Sequence, residues 1–200
     1  MEWSDKKSCV QKLDLEVFAD ARLHVDILRE DLLDPEISGN KYRKLKYNVL
    51  NANDTGHNTL LTFAGAFSNH IAAVAAAGER FGFKTIGVIR GEEHTDNPTL
   101  MRCRQQGMEF YFVSRSDYRL KNSPEFKEHL IERYGNFYFI PEGGANYHGV
   151  NGCMEILQSI DNPYDAVVAA CGTGTMLAGL VLSAKADAVV YGVSALKGNF

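Results

Sequence analysis

The chain has 200 residues, 45% hydrophobic and 23% charged, with 18 glycines and 5 prolines, a profile that excludes a disordered, collagen-like or disulfide-dense protein. Its 21 Lys and Arg against 25 Asp and Glu give a net charge of −4, and no basic stripe runs along it. Nucleic acid and an anionic membrane are therefore excluded as expected partners. Cys9, Cys103, Cys153 and Cys171 are far apart, with no Cys-x-x-Cys and no paired histidines, so no zinc site is expected. The polar start (residues 1–10) lacks the apolar core of a signal peptide, and the apolar runs are strand-sized, too short to span a bilayer. A cytoplasmic protein with reduced cysteines is expected.

In chain order, residues 23–28 form a first strand candidate, and the helical spacing of Tyr42, Leu45 and Val49 predicts a helix opened by Gly39. From residue 59 onward short apolar runs alternate with helix-like stretches. Runs at 59–64, 85–89, 108–113 and 137–140 enclose helical segments at 71–81, 97–106 and 124–134. Two further runs, 165–170 and 188–193, flank a helix near 176–184. This alternation predicts α/β architecture: two three-layer αβα domains with mostly parallel sheets, covered on both faces. Residues 53–147 are expected to form a small α/β domain. Residues 1–52 plus 148–200 are expected to form part of a larger, cofactor-binding α/β domain that is incomplete, its C-terminal remainder absent.

Four segments could carry chemistry. In Ser38-Gly39-Asn40-Lys41-Tyr42-Arg43-Lys44-Leu45, the plain reading is a helix start whose lysines face water. The sharper one is a desolvated lysine forming a Schiff base with an aldehyde cofactor. Spacing does not choose among Lys41 at the edge of the apolar face, Lys44 opposite it and Lys46 nearer its centre. Gly65-Ala66-Phe67-Ser68-Asn69-His70 follows a strand and precedes an alanine-rich helix. Ser68 or Asn69 would cap that helix, and its free amides and positive dipole end would also suit a carboxylate. Cys171-Gly172-Thr173-Gly174-Thr175 is either a structural turn or a phosphate cradle, and the two readings stand level. Leu177 stands where a dinucleotide fingerprint needs glycine, and no acidic residue ends the next strand, which disfavours a nicotinamide dinucleotide. Pro141-Glu142-Gly143-Gly144-Ala145-Asn146 reads as a crossover or as a loop against a ligand, with structural linkage the simpler account. His24, His57, His94, His129 and His148 are scattered without metal spacing and read as surface or packing residues.

In order and spacing, Gly39-Asn40-Lys41-x-Arg43-Lys44-Leu45, Ser68-Asn69 and Gly172-Thr173-Gly174-Thr175 resemble the pyridoxal-phosphate enzymes of the tryptophan-synthase-β type. The branch containing 1-aminocyclopropane-1-carboxylate deaminase and D-cysteine desulfhydrase is the most similar. The resemblance runs from about Leu15 to the end of the chain. It implies a pyridoxal 5'-phosphate cofactor in Schiff-base linkage to Lys41, which would later move protons. It places Asn69 on the cofactor's phenolic oxygen, and Gly172, Thr173, Gly174 and Thr175 on its phosphate. Ser68 would act beside the substrate, with Asn69 and His70 among the substrate-binding residues. The implied reaction deaminates a small amino acid, giving 2-oxobutanoate and ammonia from aminocyclopropane carboxylate, or pyruvate, sulfide and ammonia from D-cysteine. A homodimer is implied as well. Where the deaminase branch has Gln-Ser-Asn-Gln, this chain has Phe67-Ser68-Asn69-His70, and Ile71-Ala72 replaces a pair ending in Arg. The alternative readings are a non-catalytic binding protein or inactive fragment of the same fold, and a β-replacing synthase, whose lysine motif differs.

Overall fold

The computed structural model describes residues 3, 7–92 and 97–195, and of Ser159 only the backbone. The first residues of the polar N-terminal segment and His94 lie outside the described residues. The chain opens with β1 (Cys9–Lys12), a short helix α1 (Glu16–Asp20) and β2 (Asp26–Arg29), with β1 and β2 paired antiparallel. Only the second of these strands overlaps a predicted run, 23–28, starting three residues later and ending one residue beyond it. Mostly exposed, the hairpin lacks the apolar alternation that marks a strand in a sequence.

Helix α2 (Asn40–Asp54) starts at Gly39, whose φ of +62° and ψ of −146° suit glycine alone. Then come β3 (Thr59–Gly65), α3 (Asn69–Phe81), β4 (Lys84–Arg90), α4 (Pro98–Gln105) and β5 (Met108–Val113). A short α5 (Arg115–Arg119), α6 (Pro124–Tyr134) and β6 (Tyr138–Ile140) follow. The four strands form one parallel sheet in the order β5-β4-β3-β6. Alternation along β3 sends Leu60 and Ala64 into a core shared with Leu45 and Val49 of α2 and Ile71 and Val74 of α3. Leu61 and Phe63 point the other way, to Tyr118 of α5 and Leu130 of α6. The sheet is thus covered on both faces, and each fully buried aliphatic contributes about 1.5–3 kcal/mol.

Helix α7 (Tyr147–Met154) leads to β7 (Ala166–Cys171), α8 (Thr175–Ser183) and β8 (Val189–Ser194), with β7 and β8 paired in parallel. One face of this pair packs Val167, Ala169 and Val190 against Cys153, Ile156 and Leu180. On the other, Val168, Val189, Tyr191 and Val193 are 51–68% exposed, because no described element lies over them. Here the expected cover on both faces is present on one only.

Candidate functional site

Three helix starts and one loop meet around a cavity of about 310 Å³. Asn40, Lys41 and Lys44 come from the first turns of α2, and Ser68, Asn69 and His70 from the start of α3. Gly172, Thr173 and Gly174 come from the β7–α8 turn. Glu142 and Gly143, just after β6, line the cavity as well. Thr175 is the exception among the predicted residues: it is buried in the first turn of α8, and its hydroxyl pairs with that of Thr173 at 3.0 Å.

Lys41 is half-buried, and its Nζ donates to Asn40 Oδ1 at 2.8 Å. Burial and then the neighbouring charge of Lys44 lower its pKa to about 8. Lys44 is 3% exposed, against the expectation that it faces away from the apolar side. The reason is that α2 is covered twice: its apolar side meets α3, and its other side meets α7 and the loop after β6. Lys44 Nζ donates to the Gly143 carbonyl at 3.1 Å and reaches Thr173 Oγ1 at 3.5 Å, and burial lowers its pKa. Lys46 instead pairs with Glu155 at 2.9 Å, away from the cavity. Glu155 also accepts from Arg43, which reaches Glu30 as well, so the helix carrying both cavity lysines is anchored to the N-terminal hairpin and to the end of α7.

Ser68 is the N-cap of α3, its Oγ accepting from the His70 amide at 3.1 Å, which leaves the hydroxyl proton to donate elsewhere. The Asn69 side chain is exposed toward the cavity with no hydrogen bond among the described residues. His70 is buried, and burial followed by the charges of Lys41 and Lys44 holds its pKa near about 3, so the ring is neutral. Thr62 donates its hydroxyl proton to the Ile140 carbonyl at 2.8 Å, which makes His70 Nε2, at 2.9 Å, the donor to Thr62. His70 Nδ1 has no partner among the described residues.

These residues suit a small aldehyde that carries a phosphate. Lys41 could supply the amine, and the exposed Asn69 amide could supply a polar contact. Two cationic lysines against Glu142 make the cavity net positive. At the phosphate end, Gly174 has a φ of +77°, and a Cβ on Gly172 or Gly174 would meet nothing within 4 Å, so the turn is open to a ligand above the start of α8. Gly143, at φ +67°, comes so near Thr173 that a Cβ there would lie 2.7 Å from Thr173 Cγ2. The loop after β6 therefore packs closely against the 172–174 turn and lines the cavity beside it. Spacing put Lys44 opposite the apolar face and favoured linkage for the 141–146 loop, whereas Lys44, Glu142 and Gly143 all line the cavity; the paired glycines at 143 and 144 were the signal for that loop. Among the described residues, no three His, Cys, Asp or Glu are grouped to hold a metal, and no helix is long and apolar enough to cross a membrane. All four cysteines are unpaired.

Residues 15–198 match the family described as pyridoxal-phosphate dependent enzyme. A Thermotoga maritima protein provisionally named 1-aminocyclopropane-1-carboxylate deaminase is 34% identical over 164 residues, 78% of this chain and 53% of that protein. The mitochondrial bifunctional D-cysteine desulfhydrase/1-aminocyclopropane-1-carboxylate deaminase of Arabidopsis thaliana is 30% identical over 175 residues, 78% of this chain and 44% of that one. A crystal structure described as an ACC deaminase homologue superposes with a TM-score of 0.76 at 29% identity, covering 89% of this chain and 56% of its own. The chain spans about half the length of the curated relatives it matches.

Proposed function

The chain belongs to the family of pyridoxal-phosphate-dependent enzymes, and from that membership we propose that it is the cofactor- and substrate-holding part of a deaminating enzyme for a small amino acid. The substrate is of the kind named for its relatives, 1-aminocyclopropane-1-carboxylate or D-cysteine. The observation that carries this reading is the meeting of Lys41, Lys44, Asn69 and the 172–174 turn on one cavity.

Pyridoxal phosphate, when bound, supplies the electron sink for breaking bonds at the substrate's α-carbon. Lys41 is the attachment point: with a pKa of about 8, about one amine in ten is neutral at pH 7, against far fewer for an ordinary lysine. The same amine would accept a proton from the substrate and return it. Asn69 hydrogen-bonds the phenolic oxygen. Thr173, the amides of Gly172 and Gly174 and the start of α8 hold the phosphate, with the Lys44 ammonium as its counter-charge. Thr175 supports the cradle from behind through its bond to Thr173. Ser68 donates its free proton to the substrate carboxylate, which sits over the α3 amides. His70 offers Nδ1 as an acceptor that stays neutral across the physiological range.

The same reading includes a homodimer, as the family resemblance implies, and a cytoplasmic location, in keeping with four unpaired cysteines. A second reading, cofactor binding without turnover, is favoured by one fact: the relatives are about twice as long. Incubating the cofactor-loaded chain with each amino acid separates the two. 2-Oxobutanoate with ammonia, or pyruvate with sulfide and ammonia, is the expected product set. Stoichiometric cofactor with no 2-oxo acid from either substrate rejects the deaminase reading and leaves the binding one.

A further inference from the structure

A second cavity, about 980 Å³, opens at the C-terminal ends of β3, β4 and β5, the edge at which open parallel α/β sheets bind ligands. It shares Ser68 with the first cavity, so the two adjoin at that residue. Its lining carries two arginines, Arg90 at the end of β4 and Arg115 just after β5, with Phe67 and Phe112 beside them. Phe67 is 77% exposed, an unusual position for a large aromatic side chain.

Among the described residues neither arginine forms an ion pair, although Glu92 also lines the cavity. Arg90 is nonetheless held: its guanidinium lies over the Tyr118 ring, 5.6 Å from the centroid. Its Nη2 lies 3.8 Å from where a Cβ on Gly65 would be, an ordinary contact distance, so the fork rests beside the end of β3. A placed guanidinium with unused donors matches a carboxylate or phosphate in a two-point contact.

Aminocyclopropane carboxylate and D-cysteine have no second anionic group and would leave this space empty. We propose that the second cavity is a side-chain subsite, and that Arg90 and Arg115 take a carboxylate or phosphate at the far end of an amino-acid substrate's side chain. This rests on the amino-acid reading above, and extends its substrate class to acidic and phosphorylated amino acids with Ser68 at the junction.

The test is calorimetric titration of the full chain with O-phosphoserine, serine and inorganic phosphate, repeated on R90Q, R115Q and K44Q. Both arginines are exposed, so their replacement leaves the core intact. O-Phosphoserine is expected to bind about tenfold more tightly than serine, and most of that ratio should vanish in R90Q and in R115Q. A ratio untouched by both substitutions but abolished in K44Q would put the phosphate in the 172–174 turn and overturn the proposal. If neither amino acid binds but inorganic phosphate does, and R90Q alone removes it, the anion subsite stands and the amino-acid reading falls. Equal affinity for serine and O-phosphoserine overturns the subsite while leaving the deaminase reading in place.

Discussion

Lys44 Nζ donates to the Gly143 carbonyl at 3.1 Å, a bond that ties the start of α2 to the loop after β6 across 99 residues. It holds the ammonium beside Thr173, where the proposed phosphate sits. Replacing Lys44 with Gln keeps a hydrogen-bond donor and removes the charge. We expect K44Q to bind pyridoxal phosphate about tenfold more weakly, the size of one charge-assisted hydrogen bond. Absorbance titration reads this directly, and an unchanged affinity would remove Lys44 from the phosphate site.

The same substitution acts on Lys41. Burial is the larger cause of its depressed pKa of about 8, and the Lys44 charge the next. With that charge gone, the protonated form of Lys41 is less disfavoured, so its pKa should rise in K44Q while staying below the ordinary 10.5, because burial remains. The pH dependence of the rate at which pyridoxal phosphate reacts should move to higher pH. A move to lower pH would show that Lys44 does not act on Lys41 through its charge.

Gly143 and Gly152 are close-approach positions of different kinds. A Cβ on Gly152 would collide with the Arg43 carbonyl and push α7 off α2, so G152A should cost about 3 kcal/mol or more in denaturant unfolding. G143A meets only the Thr173 side chain but has φ +67°, so it should cost about 1–3 kcal/mol and weaken cofactor binding as well. Equal unfolding midpoints for G152A and the parent chain would refute the close contact between α2 and α7.

Asp34 predicts a distinct acid limb. Burial alone would raise its pKa, but the Arg80 guanidinium and the Ile37 and Glu36 amides outweigh it and hold the group at about 2, below its usual 3.8. The folded state thus binds this proton less readily than the unfolded chain. The stabilisation is complete above pH 3.8 and is lost as the pH falls toward 2. Melting temperatures of the parent chain should fall faster than those of D34N across that window. Parallel curves would exclude the Asp34 contribution.

The parallel sheet was readable because its strands are buried on both faces: the runs at 59–64, 85–89 and 108–113 lie within or coincide with β3, β4 and β5. Of the β1–β2 hairpin only β2 overlapped an expected run, because exposed strands carry no such pattern. In the site, helix starts and glycines mark the segments that carry Lys41, Ser68, Asn69 and the 172–174 turn, and these do meet, while the choice of Lys41 among the lysines came from the family resemblance. Lys44 could not. A helix wheel gives one buried side, whereas α2 has two, the second made by residues about a hundred positions later. The placement of Thr175 behind Thr173 likewise depends on where α8 begins, which the run of glycine and threonine leaves open.

The central claim is that Lys41, among the lysines of α2, is the one that takes the cofactor. Borohydride reduction of the chain with pyridoxal phosphate, followed by peptide mass mapping, tests it most directly. The account predicts a pyridoxyl group concentrated on Lys41, with Lys44 unmodified as the counter-charge of the phosphate and Lys46 unmodified because it pairs with Glu155 away from the cavity. Label on Lys44, or spread evenly over Lys46 and the surface lysines, would contradict it.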